Sequence, residues 1–296
     1  MAKALSRAID RSAALRAIFK SPPALHLVRT VRASRAVSEP LRFIALQLVS
    51  ERAAEHRLTG SGLRVHLRHR TRDVDIFKEV FDTGYGPGVY EPPAPVAAAL
   101  DAKAAPTMLD LGANIGLFGL YALGRWPGAR IHSFEPDPAN LPLLRRAVLA
   151  NQLEHRWRVA GVAVANQAGA LPFLAGLFAE SQLAAVAGTA ARAPGAASLQ
   201  DGETIMVPTV DLFEQDHDVD LLKIDIEGGE WSILTDPRLA SLNANVIVLE
   251  WHTSGCPERD PRAAAARLLR AAGYSEQQEA HDLGHTGLVW AWRGGG

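Results

Sequence analysis

Thr107 to Pro136 constrains this chain more than any other stretch: TMLDLGANIGLFGLYALGRWPGARIHSFEP. Met108, Leu109 and Leu111 form a short apolar run suited to a strand buried on both faces. Gly112 and Gly116 bracket a turn, and Ile115 to Leu123 has the apolar density of a buried helix. Ile131 and Phe134 belong to a second strand, at whose tip stands Glu135. The pattern predicts a βαβ unit with a glycine turn opening its helix. Such units bind adenosine-containing cofactors at the carboxyl ends of their strands.

A nicotinamide dinucleotide needs its pyrophosphate against the helix N-terminus, which GxGxxG permits by close backbone approach. Here the turn reads Gly112-Ala113-Asn114-Ile115-Gly116, without the middle glycine. Asp110 precedes it, unfavourable beside a pyrophosphate but suited to an ammonium or sulfonium. Glu135 lies 23 positions past Gly112, near the roughly 20 expected for a carboxylate on ribose hydroxyls. A ribose, no phosphate and a cationic end describe S-adenosylmethionine. The candidate cofactor-binding residues are therefore Asp110, Gly112, Asn114, Gly116 and Glu135, with Asn166 beyond the third strand as a reader of the purine edge.

A chain of 296 residues, 48% hydrophobic, has ample material for one large domain and an extension. A net charge of -1 gives no reason to expect nucleic-acid binding. The single cysteine, Cys256, excludes an internal disulfide framework and suits a reducing compartment, so a cytoplasmic location is expected. No apolar stretch approaches the roughly 18 residues that span a membrane. Met1 to Pro40 differs from the rest: eight basic residues from Lys3 to Arg35 face only Asp10 and Glu39. Leu5, Ile9, Leu15, Ile18 and Phe19 fall near helical spacing there. We read residues 1–60 as a basic helical extension that packs on the domain or on a second copy in a homodimer. A transit peptide and a membrane-surface helix are the alternatives. Residues 61–293 form the main domain.

Leu41 to Leu58 is expected as a second amphipathic helix, and Leu63 to Arg68 as a half-exposed strand. Asp73 would cap a helix from Val74 to Phe81. The loop Gly84 to Gly88 reads as a lid, with Tyr85 and Tyr90 as possible ligand contacts. A helix is expected over Asp137–Asn151, a third strand over Arg158–Val164, and an edge strand at Leu171–Phe173. Ala175 to Asp201, which contains Ser181, is an alanine- and glycine-rich insertion that would shape the substrate pocket. Asp220 to Gly228, DLLKIDIEG, is a buried strand in which Asp225 and Glu227 share a face if the strand continues that far. Asn245 to His252, NVIVLEWH, ends with Glu250 and His252 on one face. Tyr274–Glu279 and Leu288–Trp292 close the sheet as an antiparallel pair.

Carboxylates in buried apolar strands are costly without a partner, which marks this edge as a polar site. Asp225, His252, Glu227 and Glu250 are the candidate catalytic residues, with His252 and Asp225 ranked first as general base. Asp225, Glu250 and His252 could alternatively bind a divalent cation, a reading set second. A purely structural alternative pairs Lys223 or Arg238 with Glu250.

With these residues placed, the chain resembles the FkbM family of S-adenosylmethionine-dependent methyltransferases. The resemblance runs from about Val74 to Trp251. It rests on LDLGANIGLFGL, SFEPDP, VPTVDLF and above all LLKIDIEGGEWSIL followed by VIVLEWH. Two departures stand out: Asn166 where an acid is usual, and Asp211-Leu212 in place of a paired-acid start. The resemblance implies an α/β, Rossmann-like class I methyltransferase fold: a mostly parallel seven-stranded sheet with helices on both faces, here preceded by the helical extension. It also implies O-methylation of a small hydroxylated acceptor, such as a sugar, glycolipid or polyketide-type natural product. The competing classes are an NAD-dependent oxidoreductase, disfavoured by the missing GxGxxG, and a non-catalytic interaction protein, disfavoured by retention of the acidic group.

Overall fold

The fold was analysed in a computed structural model that describes residues 22–81, 88–176, 182–183, 203–215 and 218–294. The arm segment with Leu5 to Phe19, Tyr85 with its loop, and Ser181 with most of its insertion lie outside the described residues. Among the described residues, no helix is long and apolar enough to cross a membrane.

Helices α1 (Pro22–Ala33) and α2 (Pro40–Val49) come first. Strands β1 (Ala53–Arg57) and β2 (Arg64–Arg68) then form an antiparallel hairpin. The expected helix through Leu58 thus ends at Val49. Residues 53–57 become a strand because pairing with β2 and burial of His56 beside Phe43 outweigh local propensity. The hairpin straddles residue 60, where the sequence suggested a boundary. Ala33, Val37, Phe43 and Leu58 share one core with Phe77 and Leu120.

Helix α3 (Arg72–Val80) is capped by Thr71, whose side chain accepts the Asp73 N–H. Asp73, expected as the cap, instead pairs with Arg68 at 2.7 Å. Next come α4 (Ala94–Asp101), β3 (Thr107–Leu111), α5 (Leu117–Arg125), β4 (Arg130–Phe134), α6 (Leu141–Ala150) and β5 (Trp157–Ala160). Helix α6 starts later than expected because Asp137 closes a turn by accepting the Ala139 N–H.

The run expected as one strand over 158–164 is two. The chain leaves the main sheet after β5 and enters a second sheet as β6 (Ala163–Ala165). With β7 (Gly169–Ala175), β8 (Gln182–Leu183) and β9 (Glu203–Asp211) it forms a four-stranded sheet of order β6-β9-β7-β8. β7 therefore lies inside this sheet and not at its edge.

The chain returns through β10 (Val219–Ile224), α7 (Glu230–Leu234), β11 (Ala244–His252), α8 (Pro261–Ala271), β12 (Glu276–Asp282) and β13 (Thr286–Trp292). The main sheet has seven strands in the order β12-β13-β11-β10-β3-β4-β5. β11, β10, β3, β4 and β5 are parallel, and β13 runs antiparallel to both β11 and β12. Side-chain alternation divides the apolar residues between two cores. Met108, Leu221 and Val248 face α5 and α6, while Leu109, Leu222 and Ile247 face α7 and α8. Helices thus cover both faces, as a parallel sheet requires. The strand order places the ends of β3 and β10 side by side, where the site forms.

Candidate active site

A cavity of about 720 Å³ opens at the carboxyl ends of the central strands, within the range of small-molecule sites. One wall is the turn after β3. Gly112 sits at φ 76°, and a Cβ there would stand 1.8 Å from the Asp225 carbonyl oxygen. Only glycine lets the ends of β3 and β10 approach this closely. The Gly112 and Ala113 N–H groups donate to the Phe134 carbonyl at 3.1 and 3.0 Å, tying the turn to β4. Asn114, at φ 51°, donates its backbone N–H to Glu135 Oε2 at 2.6 Å. Glu135 Oε1 accepts the Asp137 N–H at 2.8 Å. Burial pushes the Glu135 carboxyl up to about 7, although those two backbone donors favour its ionised form. Asn114 Oδ1 is buried with no hydrogen-bond partner among the described residues. A glycine cradle, a wall carboxylate and an orphaned acceptor fit a ligand with a ribose and a cationic end.

The opposite wall is acidic. Asp225, Glu227 and Glu250 all line the cavity. Strand β10 ends at Ile224, so Asp225 and Glu227 lie on the turn before α7 and not on one strand face. Lys223, fully buried, stands 3.3 Å from both Asp110 Oδ1 and Asp225 Oδ2 and donates to the Gly112 carbonyl at 2.8 Å. Burial disfavours its charge, but Asp225 and Asp110 outweigh that, and its pKa lies above the ordinary lysine value. Glu250 accepts the Thr286 hydroxyl at 3.1 Å. Burial raises the pKa of both Glu227 and Glu250.

Several sequence expectations change here. Asp110 does not line the cavity: it is buried beneath it, held by Lys223 and by the Ser133 hydroxyl at 2.9 Å. Gly116 does not line it either. At φ 90° it opens α5 and packs against Leu144 and Trp157, where a side chain would clash. Asn166 is likewise off the cavity, its carbonyl accepting from Arg238 at 2.7 Å, while Val162 and Val164 take the nearby wall. His252 stands behind Glu227 and reaches the cavity only through it, with Nε2 3.3 Å from Glu227 Oε2. Among the described residues, the metal-capable set is Asp225, Glu227 and His252, so Glu227 replaces the expected Glu250. Neither Lys223 nor Arg238 pairs with Glu250, since Arg238 binds Asp211 and Asp236. Gly112, Asn114, Glu135, Asp225, Glu227 and Glu250 are brought together.

Sequence reasoning missed two contributors. Lys223, at alternate spacing with Asp225, signalled a shared face but read as a bland ion pair. The β12–β13 hairpin also lines the cavity through Leu283, His285 and Thr286. The pairing register shifts between Glu279 and His281, and nothing in the local sequence marks it.

Residues 110–276 match the family described as "Methyltransferase FkbM domain". Methyltransferase sdnD of Sordaria araneosa is 32% identical over 177 residues, covering 51% of this chain and 68% of that protein. The 31-O-demethyl-FK506 methyltransferase FkbM of Streptomyces tacrolimicus is 44% identical over 64 residues, 21% of this chain and 23% of that one. The crystal structure of precorrin-6y C5,15-methyltransferase from Geobacter metallireducens superposes with a TM-score of 0.38 at 16% identity, over 68% of this chain and 87% of that one. The family match spans more than half of the chain and contains both the glycine turn and the acidic wall, so the protein belongs to the FkbM family of S-adenosylmethionine-dependent methyltransferases.

Proposed function

We propose that the chain transfers a methyl group to a hydroxyl oxygen of a small acceptor: a sugar, a glycolipid or a polyketide-type natural product. The observation that carries this reading is the acidic wall of Asp225, Glu227 and Glu250, which faces the same cavity as the glycine turn. Glu135 would accept hydrogen bonds from the ribose hydroxyls, Gly112 would let the ends of β3 and β10 close up beneath the ligand, and Asn114 Oδ1 would accept a further hydrogen bond. S-adenosylmethionine, when bound, supplies a methyl carbon on a positively charged sulfur that leaves as a neutral thioether.

The acceptor hydroxyl gains nucleophilicity as it loses its proton, and a base contributes most when its pKa lies near the working pH. Glu227 is the favoured recipient of that proton, because burial makes it more basic than an exposed carboxylate. Asp225, facing Lys223 at 3.3 Å, would orient the hydroxyl. Holding donor and acceptor in line supplies much of the remaining acceleration. The Streptomyces tacrolimicus relative is named for methylation at an oxygen, 31-O of FK506, which supports a hydroxyl acceptor.

Calorimetry with S-adenosylmethionine, S-adenosylhomocysteine and NAD tests the cofactor. The adenosyl ligands should bind and NAD should not; a preference for NAD overturns the reading. Mass spectrometry of hydroxylated acceptors should then show gain of one CH2 on oxygen, and transfer to nitrogen or carbon alone would overturn the acceptor class.

A further inference from the structure

Glu230 is fully buried at the first position of α7. Its Oε2 accepts the Gly228 N–H at 2.7 Å. Its Oε1 accepts the His252 backbone N–H at 2.8 Å and stands 3.2 Å from His252 Nδ1. The opposite ring nitrogen meets Glu227 Oε2 at 3.3 Å. One carboxylate therefore fixes both the turn that displays Glu227, a non-glycine residue at φ 54°, and the ring that touches it. Glu227 lines the cavity, whereas Glu230 and His252 do not.

Carboxylates flank the imidazole on both sides. With Glu227 ionised, a neutral ring would set a nitrogen lone pair against one of them, so that form of the array closes only with hydrogens on both nitrogens. The charged groups facing the ring are Glu227 and Asp225 on the β10–α7 turn, Glu230 on α7 and Glu250 on the ring's own strand, all acids.

We propose that Glu230 is a positioning residue: it holds His252 as an imidazolium, and the imidazolium fixes the Glu227 carboxylate toward the acceptor hydroxyl. The proposal rests on Glu227 as the base, and its test needs no acceptor. Consistent with the geometry, burial disfavours the charged ring, but Glu227 and Glu230 outweigh it and raise His252 well above the usual histidine value.

The test is 15N NMR of ring-labelled histidine in the full chain, with His252→Asn identifying the signals. Both ring nitrogens of His252 should carry protons at neutral pH. Glu230→Gln should lower its titration midpoint by about one pH unit or more. Binding of S-adenosylhomocysteine should stay within about threefold of wild type, as expected when a fold is intact. A neutral His252 in the wild type, or an unmoved midpoint in Glu230→Gln, overturns the proposal. Should that variant not fold, Glu227→Gln reads the same ring from the cavity side and must lower the midpoint likewise. Failure of methyl transfer would leave these results standing, which separates the two readings.

Discussion

Asn114 donates its backbone N–H to Glu135 at 2.6 Å, so the turn after β3 and the acid at the tip of β4 form one part. A ligand that meets one meets the other. The turn takes its shape from Glu135 as much as from its glycines.

Glu135→Gln should weaken S-adenosylhomocysteine binding. Hydrogen bonds to a charged group contribute about 1.5–3 kcal/mol, or roughly tenfold or more in affinity. Burial raises the Glu135 carboxyl to about 7, so the folded chain holds its proton more tightly than the unfolded chain. The stability from that proton is present at low pH and is lost as pH rises through about 7. The ionised acceptor grows over the same window. Affinity in wild type should therefore tighten from about pH 6 to about pH 8 and stay flat in the variant; calorimetry across that range decides.

Lys223→Met should leave Asp110 and Asp225 facing each other without a cation. Breaking a buried pair on one side costs about 3–5 kcal/mol, read as a shift of the urea midpoint. The double variant Asp110→Asn/Lys223→Met should recover much of that loss. An unchanged midpoint in the single variant would show that the lysine does not hold the strand ends together.

The N-terminal hairpin should be acid-sensitive. His56 and His69 meet at 2.9 Å between ring nitrogens, and burial lowers them to about 3 and about 4. Groups whose charged form the fold excludes take up protons on unfolding. The contribution of these two rings should thus decline as pH falls below the ordinary histidine value, by about 1 kcal/mol per pH unit for each ring, against the opposite trend from the buried carboxyls. Thermal unfolding of wild type and His56→Asn between about pH 7 and about pH 5 isolates it: the variant should gain stability relative to wild type as pH falls.

Chelation should leave turnover intact. Asp225, Glu227 and His252 bring ligand atoms within 4.8 Å of one another. Lys223 and His252 already oppose the charges of Asp225 and Glu227. Activity lost to EDTA and restored by magnesium or manganese would instead give this set to a divalent cation.

The central unit was legible because its signals are local. A buried run, a turn that admits no side chain at Gly112, and an acid at the next strand's tip all lie within Thr107–Pro136. The antiparallel closing strands and the acids after β10 were legible for the same reason. What escaped depends on tertiary pairing. The β1 sequence AAEHR has little strand character of its own and is a strand only against β2. The apolar run 158–164 looks continuous, yet the chain leaves one sheet for another within it. His252 looked like a general base because spacing cannot reveal that both its nitrogens already face carboxylates.

The C-terminal hairpin has a consequence for how such a protein diversifies. The wall that carries the glycine turn is built from interior strands, where a changed residue disturbs two cores at once. The tip from Leu283 to His285 is exposed to water, with Leu283 63% exposed. Lengthening or recolouring its exposed part, short of Thr286 and its bond to Glu250, would reshape the cavity's rim while the glycine turn stays untouched.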